Sequence, residues 1–189
     1  MHILIVKLGS IGDIIHTLPS LAAIREQKLD AEISWVVEER SAEILRGNPL
    51  IDNLIEIDTR SLRGGKIIEN IMLDASKQFN SLRKHKFDIA VDFQGLIKSG
   101  LISRLAGASI RYGFGKVALR ESGARIFYTD TVDTPEKIHV VRKNLALARG
   151  ALALTPSEGP LEFPIAILPE HAAEADEILK TRATANLPS

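Results

Sequence analysis

The stretch that decides the fold is "ILIVKLGSIGDIIHTLP", residues 3–19 of a chain of 189 residues. Residues 3–7 predict a buried strand, and two glycines, Gly9 and Gly12, follow it directly. From residue 11 to residue 27, apolar side chains recur at the spacing of a helix. Pro19 lies inside this segment, so we expect a kink there or a break after Thr17. The stretch therefore predicts a strand, a glycine turn and a helix.

The same alternation of strands and helices continues along the chain. Further strands are predicted at residues 32–37, 54–57, 87–92 and 109–112. Helices are predicted at residues 41–47 (capped by Ser41), 66–86, 96–106, 135–150 and 169–182. The helix at residues 135–150 is bounded by a proline and a glycine, which are common boundary residues. This order indicates a Rossmann-like α/β fold, a mostly parallel sheet with helices on both faces.

The composition narrows the class of protein. Hydrophobic residues make up 45% of the chain, and 24 basic residues balance 24 acidic ones. This neutral balance argues against nucleic acid as a partner. The sequence has no cysteine, no signal-peptide pattern and no apolar run long enough to span a membrane. We expect a cytoplasmic protein that could still contact a membrane surface.

Asp13 stands where a Gly-rich turn would normally hold a phosphate. A Rossmann fingerprint has three glycines, whereas only Gly9 and Gly12 occur here, although Glu38 and Glu39 end the second strand as that fingerprint requires. Ser10 and Asp13 have the spacing of a capping box, so Asp13 could simply stabilise the helix N-terminus. Alternatively, Asp13 could be a general base at the carboxyl end of the first strand. The two interpretations are compatible.

Three further segments carry candidate ligands for an anion. In "DFQGLIKSG", Gln94 can donate and accept hydrogen bonds, and Lys98 lies in a first helical turn, where a cation is unfavourable unless an anion binds. In "TRSLRGGK", a loop carries Arg60, Arg63 and Lys66. In "ALRES", Arg120 has the bidentate geometry that suits carboxylate or phosphate.

Each of these segments also has a structural interpretation. Lys98 could be an exposed lysine on a solvated face, and the basic loop could be solvated without binding anything. Arg120 could pair with Glu121 or with another acid. The five histidines, at positions 2, 16, 85, 139 and 171, show no metal-ligand spacing with a carboxylate, so we expect no metal site.

Several motifs in order resemble a known family. The opening stretch, then "WVVEE", "DFQGLIKS", the "ALRES…IFY" segment and His139 resemble the lipopolysaccharide heptosyltransferases, glycosyltransferase family 9, and most of all its heptosyltransferase I branch. The resemblance covers roughly residues 1–150. It implies a GT-B architecture, in which an acceptor-binding domain faces a donor-binding domain. Residues 1–155 would form the acceptor-binding domain, and residues 156–189 a linker and the first helix leading to an absent donor-binding domain.

The resemblance also implies an activity. The family transfers heptose from ADP-L-glycero-D-manno-heptose to a 3-deoxy-manno-octulosonic acid residue of the lipid A inner core, with inversion and without a catalytic metal or cofactor. It implies that Asp13 is the general base. It also implies an acceptor-side cleft to which we assign Lys7, Ser10, Gly12, Arg60, Arg63, Lys66, Gln94, Lys98 and Arg120.

Because members of the family are about twice as long as this chain, we expect these 189 residues to transfer nothing alone. The chain could instead be a non-catalytic acceptor-binding module or half of a split enzyme. A more remote alternative is a nucleotide-dependent oxidoreductase or epimerase, which rests on Glu38, Glu39 and the glycine turn.

Overall fold

The computed structural model describes residues 1–58, 82, 84–135, 137–167 and 169–185. Within them lies a six-stranded sheet in the order β3-β2-β1-β4-β5-β6, and every neighbouring pair is parallel. The strands are β1 (His2–Val6), β2 (Glu32–Glu38), β3 (Asn53–Ile57), β4 (Ile89–Asp92), β5 (Ile110–Phe114) and β6 (Asp130–Val132). The first five match the predicted strands within a few residues, and β6 was not predicted.

Helices cover both faces of the sheet, as predicted. In the described residues the α-helices are α1 (Ile11–Ile15), α2 (Leu18–Gln27), α3 (Ile97–Leu105), α4 (Val140–Leu152) and α5 (Pro169–Ala185). The same part of the chain also has 3-10 helices over Glu39–Leu45 and Ser122–Phe127. Ile3 and Ile5 of β1 pack in a cluster with side chains of α2 and α4. Leu4 and Val6 belong to a second cluster with Ile102 of α3. The alternation along β1 thus buries both of its faces.

This topology places a crevice at the carboxyl ends of β1 and β4. Strand β1 pairs with β2 on one side and with β4 on the other. The connection from β1 to β2 runs through α1 and α2 on one face, whereas the connection from β4 to β5 runs through α3 on the other face. Where neighbouring connections leave on opposite faces, the sheet opens the kind of crevice in which α/β proteins bind ligands.

The helix predicted at residues 11–27 is broken near Thr17, as expected from Pro19. The α1 helix ends at Ile15, and Pro19 occupies the first turn of α2, where proline is tolerated. The Thr17 hydroxyl donates to the Asp13 carbonyl at 2.9 Å and lies 3.0 Å from the donating amide nitrogen of Asn144. The break therefore serves as an anchor point for α4.

Three predicted helix boundaries are wrong. Ser41 is not a cap, because the 3-10 helix begins at Glu39 and places Ser41 inside, where it is buried. The helix predicted at residues 135–150 begins at Val140, where the His139 side chain accepts from the Val141 N–H. Gly150 lies inside this helix rather than at its end. A Cβ there would lie 2.7 Å from Val132 of β6, so glycine permits the close approach of helix and strand.

The C-terminal part of the described chain carries one helix. Residues 156–167 form neither helix nor strand, and α5 follows them. The domain boundary expected at residue 155 stays a prediction. Of the helix predicted at residues 66–86, residues 66–81 and 83 lie outside the described residues. No helix in the described part of the chain is both long enough and apolar enough to cross a bilayer.

Candidate functional site

Asp13 lies at the crevice and forms an ion pair with Arg120. Its carboxylate oxygens are 3.2 and 3.4 Å from the two terminal guanidinium nitrogens of Arg120. The aspartate follows β1, and the arginine comes from the segment after β5, on the other side of β4. The Asp13 side chain is 22% exposed and that of Arg120 is 47% exposed. The pair therefore bridges the crevice and stays accessible to solvent.

The capping box expected from Ser10 and Asp13 is half formed. The Ser10 side chain makes no capping hydrogen bond at the start of α1. The backbone N–H of Ser10 does donate to the Asp13 carboxylate and helps to lower its pKa. This contact orients the carboxylate without surrounding it, so a cap and a chemical role can coexist, as the sequence suggested.

Positive charge keeps Asp13 ionised. Burial alone would raise the pKa of this carboxyl, but the charges of Lys7 and Arg120 outweigh burial, and the pKa lies below its ordinary value. At neutral pH the group is therefore a carboxylate. It can accept a proton, although its neighbours make it a weak base as long as both cations face it.

Lys7 supplies a second cation from behind the carboxylate. The residue is 1% exposed, and its amine donates to the Phe93 carbonyl at 3.0 Å. Burial lowers the pKa of Lys7 to about 8, although the nearby Asp13 charge opposes this shift. Lys7 was predicted to bind the acceptor, and here its amine lies beneath the surface that Asp13 and Arg120 present.

Lys143 of α4 adds a third cation at the same place. Its amine donates to the Ala118 carbonyl at 2.7 Å and lies 4.8 Å from the ring centroid of Phe114. Burial lowers the pKa of Lys143, and the Arg120 charge lowers it further. Sequence reasoning missed this residue, because nothing in the helical pattern distinguishes it from a solvated lysine. Its approach to Arg120 depends on how α4 packs against β5.

A cavity of about 20 Å³ lies between these groups. It is lined by Lys7, Phe93, Gln94, Phe114, Ala118, Arg120, Val140, Lys143 and Asn144. This space is far too small for a sugar ring, so an acceptor would lie outside it, over the exposed Asp13–Arg120 pair. The cations below and beside the pair would still act on that surface through their charge.

Gln94 and Asp92 organise the neighbouring turn at the end of β4. Asp92 accepts from the backbone N–H groups of Gln94 and Gly95 and from the hydroxyls of Ser99 and Tyr128. The Gln94 side chain in turn accepts from the Leu8 N–H at 3.3 Å and is buried. Gln94 thus ties the turn after β1 to the turn after β4. Asp92 and Tyr128 were not singled out from the sequence, where an aspartate ending a strand resembles any other.

Lys98 is held by an acid at the same edge of the sheet. Its amine lies 2.7 Å from a carboxylate oxygen of Glu38, the last residue of β2, and Arg40 lies 2.7 Å from the other oxygen. The anion that the sequence predicted beside Lys98, at the start of α3, is therefore supplied by the Glu38 carboxylate of the protein itself. The oxidoreductase alternative would need Glu38 to bind a ribose, but that carboxylate is buried and paired with two cations.

The structure brings some of the predicted acceptor-side residues together. Ser10 precedes α1 and Gly12 lies in its first turn, both exposed beside Asp13, and Arg120 contacts Asp13 directly. Lys7 and Gln94 lie beneath that surface, and Lys98 lies further along the edge with Glu38. Arg60, Arg63 and Lys66 lie outside the described residues. The acceptor-binding role of the whole set stays a prediction.

Comparison with known proteins places the chain among glycosyltransferases. Residues 76–185 match the family model described as glycosyltransferase family 9 (heptosyltransferase). Lipopolysaccharide heptosyltransferase 1 of Campylobacter coli is 37% identical over 144 residues, which are 74% of this chain and 39% of that protein. The enzyme of the same name from Escherichia coli K12 is 29% identical over 167 residues, 88% of this chain and 52% of that protein. The chain thus spans about half the length, or less, of these relatives.

Solved structures agree with these relatives. The E. coli heptosyltransferase WaaC with ADP-2-deoxy-2-fluoro heptose has a TM-score of 0.77 and 25% identity, over 100% of this chain and 56% of that one. A family 9 glycosyltransferase from Veillonella parvula has a TM-score of 0.75 at 23% identity, over 96% of this chain and 49% of that one, and shows the shared fold alone.

Proposed function

The chain belongs to glycosyltransferase family 9, the heptosyltransferases, and on this premise we propose that it forms the acceptor-binding half of an inverting heptosyltransferase. Asp13 is the general base in this proposal. The observation that carries it is the placement of one oriented, solvent-accessible carboxylate at the crevice of the sheet, with Lys7 and Arg120 beside it. Other residues, beyond this chain, bind the sugar nucleotide.

The reaction is a displacement at the anomeric carbon. A hydroxyl oxygen of the acceptor forms the new glycosidic bond, while the bond between the heptose and ADP breaks and ADP leaves with the electron pair. As the acceptor oxygen attacks, the proton of its hydroxyl passes to the Asp13 carboxylate. Attack on the face opposite the leaving group inverts the configuration at that carbon. We propose ADP-L-glycero-D-manno-heptose as the donor, and neither a catalytic metal nor a cofactor is part of the proposed step.

Arg120 links acceptor binding to the strength of the base. The acceptor we propose, a 3-deoxy-manno-octulosonic acid residue of the lipid A inner core, carries a carboxylate that can form a bidentate pair with a guanidinium. An acceptor that draws Arg120 towards itself removes one of the charges that lower the pKa of Asp13. The carboxylate then becomes a stronger base at the moment when a hydroxyl is present.

The place of action follows from the acceptor. Lipid A is anchored in a membrane, so we propose that the enzyme works in the cytoplasm and contacts the cytoplasmic face of the inner membrane peripherally. The charges of Lys7, Arg120 and Lys143 give an electrically neutral chain a local positive potential that attracts an anionic acceptor.

The experiment is transfer of heptose by the full-length protein that contains this chain. Asp13→Asn should lower the rate roughly 10²- to 10⁴-fold, because the amide cannot accept the proton, while acceptor affinity stays close to the original. Asp30→Asn, in an exposed turn, is the matched control and should keep full activity. A full-length Asp13→Asn enzyme that transfers at an undiminished rate would refute the base assignment.

The 189-residue chain alone tests the alternatives. We expect it to bind the acceptor and to transfer no heptose. If adding a separately produced C-terminal half restores transfer, the chain works as half of a split enzyme. Acceptor binding without transfer under all these conditions would favour the non-catalytic module.

A further inference from the structure

A second cluster of polar side chains lies at the opposite edge of the sheet from Asp13. His2 begins β1, Glu32 begins β2 and His85 precedes β4. Because these strands are parallel, their amino ends meet at one edge, and the ligand atoms of the three side chains lie within 4.8 Å of one another. Sequence spacing predicted no metal site, because residues this far apart in the chain carry no local ligand pattern.

The unprotonated nitrogen of the His2 ring faces both Ser34 and Glu32. Its Nδ1 lies 2.7 Å from the His85 carbonyl oxygen, which can only accept a hydrogen bond, so Nδ1 carries the proton and donates. In neutral His2 the other nitrogen, Nε2, is therefore unprotonated. It lies 2.9 Å from the Ser34 hydroxyl and 3.7 Å from Glu32 Oε1. Metal-binding histidines are typically held in this way, with the second ring N–H donated to a carbonyl or carboxylate.

The His2 ring is nearly buried and fixed by its neighbours. Its side chain is 10% exposed, and its ring centroid lies 4.5 Å from that of Phe87. The His85 ring stacks on the Phe87 ring with centroids 5.7 Å apart, and it meets the His2 ring edge-on, also with centroids 5.7 Å apart. Both imidazoles are thus held near one position by a shared aromatic contact.

Glu32 completes the group from the solvent side. Its Oε1 accepts from the Asn53 amide at 2.8 Å, which fixes one oxygen near His2. The side chain is 54% exposed, so an ion can reach the cluster from solution. Asp88, whose carboxylate accepts from the His2 backbone N–H at 2.7 Å, adds negative charge nearby. The Asp52 carboxylate also interacts with His2 electrostatically, although Arg25 pairs with it at 2.6 Å.

We propose that His2, Glu32 and His85 form a zinc site, with water as the fourth ligand. Two imidazole nitrogens and one carboxylate oxygen are a donor set that Zn²⁺ accepts in tetrahedral sites. Zinc–ligand bonds of about 2.0–2.2 Å at tetrahedral angles separate neighbouring ligand atoms by about 3.4 Å. The observed 3.7 Å between His2 and Glu32 needs little adjustment to reach this value.

The bound ion would join three separate parts of the chain. It would link the start of β1, the start of β2 and the segment before β4. Because a metal that binds the folded chain and not the unfolded chain stabilises the fold, the site acts on stability and not on the chemistry at Asp13. The proposal is therefore independent of the proposed function.

Calorimetric titration of the tag-free chain with ZnCl₂ tests the site. We expect one ion bound per chain with micromolar affinity, a higher Tm in the presence of zinc, and no binding of Mg²⁺, which prefers oxygen ligands. Glu32→Gln and His85→Gln, at accessible positions, should each weaken zinc binding about tenfold or more. The matched control is His16→Gln, since His16 lies beside His139 with ring centroids 5.9 Å apart and should leave binding unchanged.

Two results would overturn the proposal. One is the absence of zinc binding up to millimolar concentration in folded protein. The other is a loss of affinity in His16→Gln equal to that in His85→Gln, which would mean that zinc binds histidines adventitiously. X-ray absorption of the loaded chain gives an independent readout, and two imidazole nitrogens with oxygen ligands would support the assignment.

Discussion

Two carboxylates near the carboxyl ends of neighbouring strands, Asp13 in α1 and Asp92 at the end of β4, have opposite surroundings. Asp92 is fully buried and accepts from two backbone N–H groups and two hydroxyls, which are all neutral donors. Asp13 is partly exposed and faces Arg120 and Lys7. Burial raises the pKa of Asp92 against its four hydrogen bonds, whereas the two cations lower the pKa of Asp13 against its burial.

The difference separates a structural carboxylate, Asp92, from Asp13, the carboxylate that we propose as the general base. The donors to Asp92 come from the turn after β4, from α3 and from Tyr128, so this carboxylate holds the turn together and leaves little room for a substrate. Asp13 is oriented by the Ser10 N–H but keeps an open side. A group that must receive a proton needs such an open side, and its charge must be balanced by groups that a ligand can move.

The largest expected effect on stability distinguishes the two aspartates directly. Asp92→Asn places an amide N–H₂ among buried donors and should lower the free energy of unfolding by at least about 3 kcal/mol. Asp13→Asn should change it by less than about 1 kcal/mol, because its partner Arg120 is about half exposed and the pair is screened by solvent. Urea unfolding measures both.

A graded control accompanies this pair. Tyr128→Phe removes one of the four donors to Asp92 and should lower the free energy of unfolding by about 1 kcal/mol. If Asp13→Asn destabilises the protein as much as Asp92→Asn does, Asp13 is chiefly a helix cap and the contrast between the two carboxylates fails.

Lys7 should give the second-largest effect, visible as a pH dependence. Between about pH 8 and its ordinary value of 10.5, the amine is neutral in the folded chain but protonated in the unfolded chain. The unfolded state then binds more protons, so stability rises with pH through this window and is lowest below pH 8. The gain should be on the order of 2 to 3 kcal/mol. Lys7→Met should lose it.

The free energy of unfolding, measured at pH 7.5 and pH 10.5 in the original chain and in Lys7→Met, isolates the contribution of Lys7, since the two proteins share all other titrating groups. Lys116→Met, at an exposed position, is the matched control and should keep the original slope. An unchanged slope in Lys7→Met would show that burial does not lower the pKa of Lys7 in the folded chain.

The smallest effect concerns the exposed ion pair. Arg120→Met should raise the pKa of Asp13, because it removes both a hydrogen bond and a positive charge, and should change stability by less than about 1 kcal/mol. Carboxyl NMR titration of Asp13 gives the pKa. Lys143→Met is the matched control, since Lys143 lies in the same cavity but is not among the groups that shift Asp13. Equal shifts in the two variants would contradict the direct role of Arg120.

The sequence predicted most of the central sheet because parallel strands buried on both faces give continuous apolar runs. The β6 strand, Asp130–Val132, was missed because its three residues are partly polar and too few to show a pattern. Gly150 misled the prediction of a helix end, since its small size serves packing against Val132 and not a turn. The break near Thr17 was predicted correctly, because Pro19 constrains the backbone locally.

The site was only partly predictable for a related reason. Asp13 stands in a local motif and could be singled out. Its partner Arg120 lies 107 residues away, and the sequence alone did not say which of several acids Arg120 pairs with. Lys98 was expected to bind an external anion, but the carboxylate of Glu38, at the end of β2, pairs with its charge. Burial of Lys7 and the approach of Lys143 depend on the packing of whole elements, which no local spacing encodes.

The residue after Arg120, Glu121, is held in place by two hydrogen bonds, one through its backbone and one through its side chain. The Glu121 N–H donates to the Gly95 carbonyl at 3.1 Å, and its side chain accepts from the Ile97 N–H at 2.7 Å. A ligand that recruits Arg120 therefore orders one side chain and no loop, which limits the conformational entropy lost on binding to about 2 kcal/mol. Small anionic fragments should consequently bind at Arg120 more tightly than they would bind an arginine on a flexible loop.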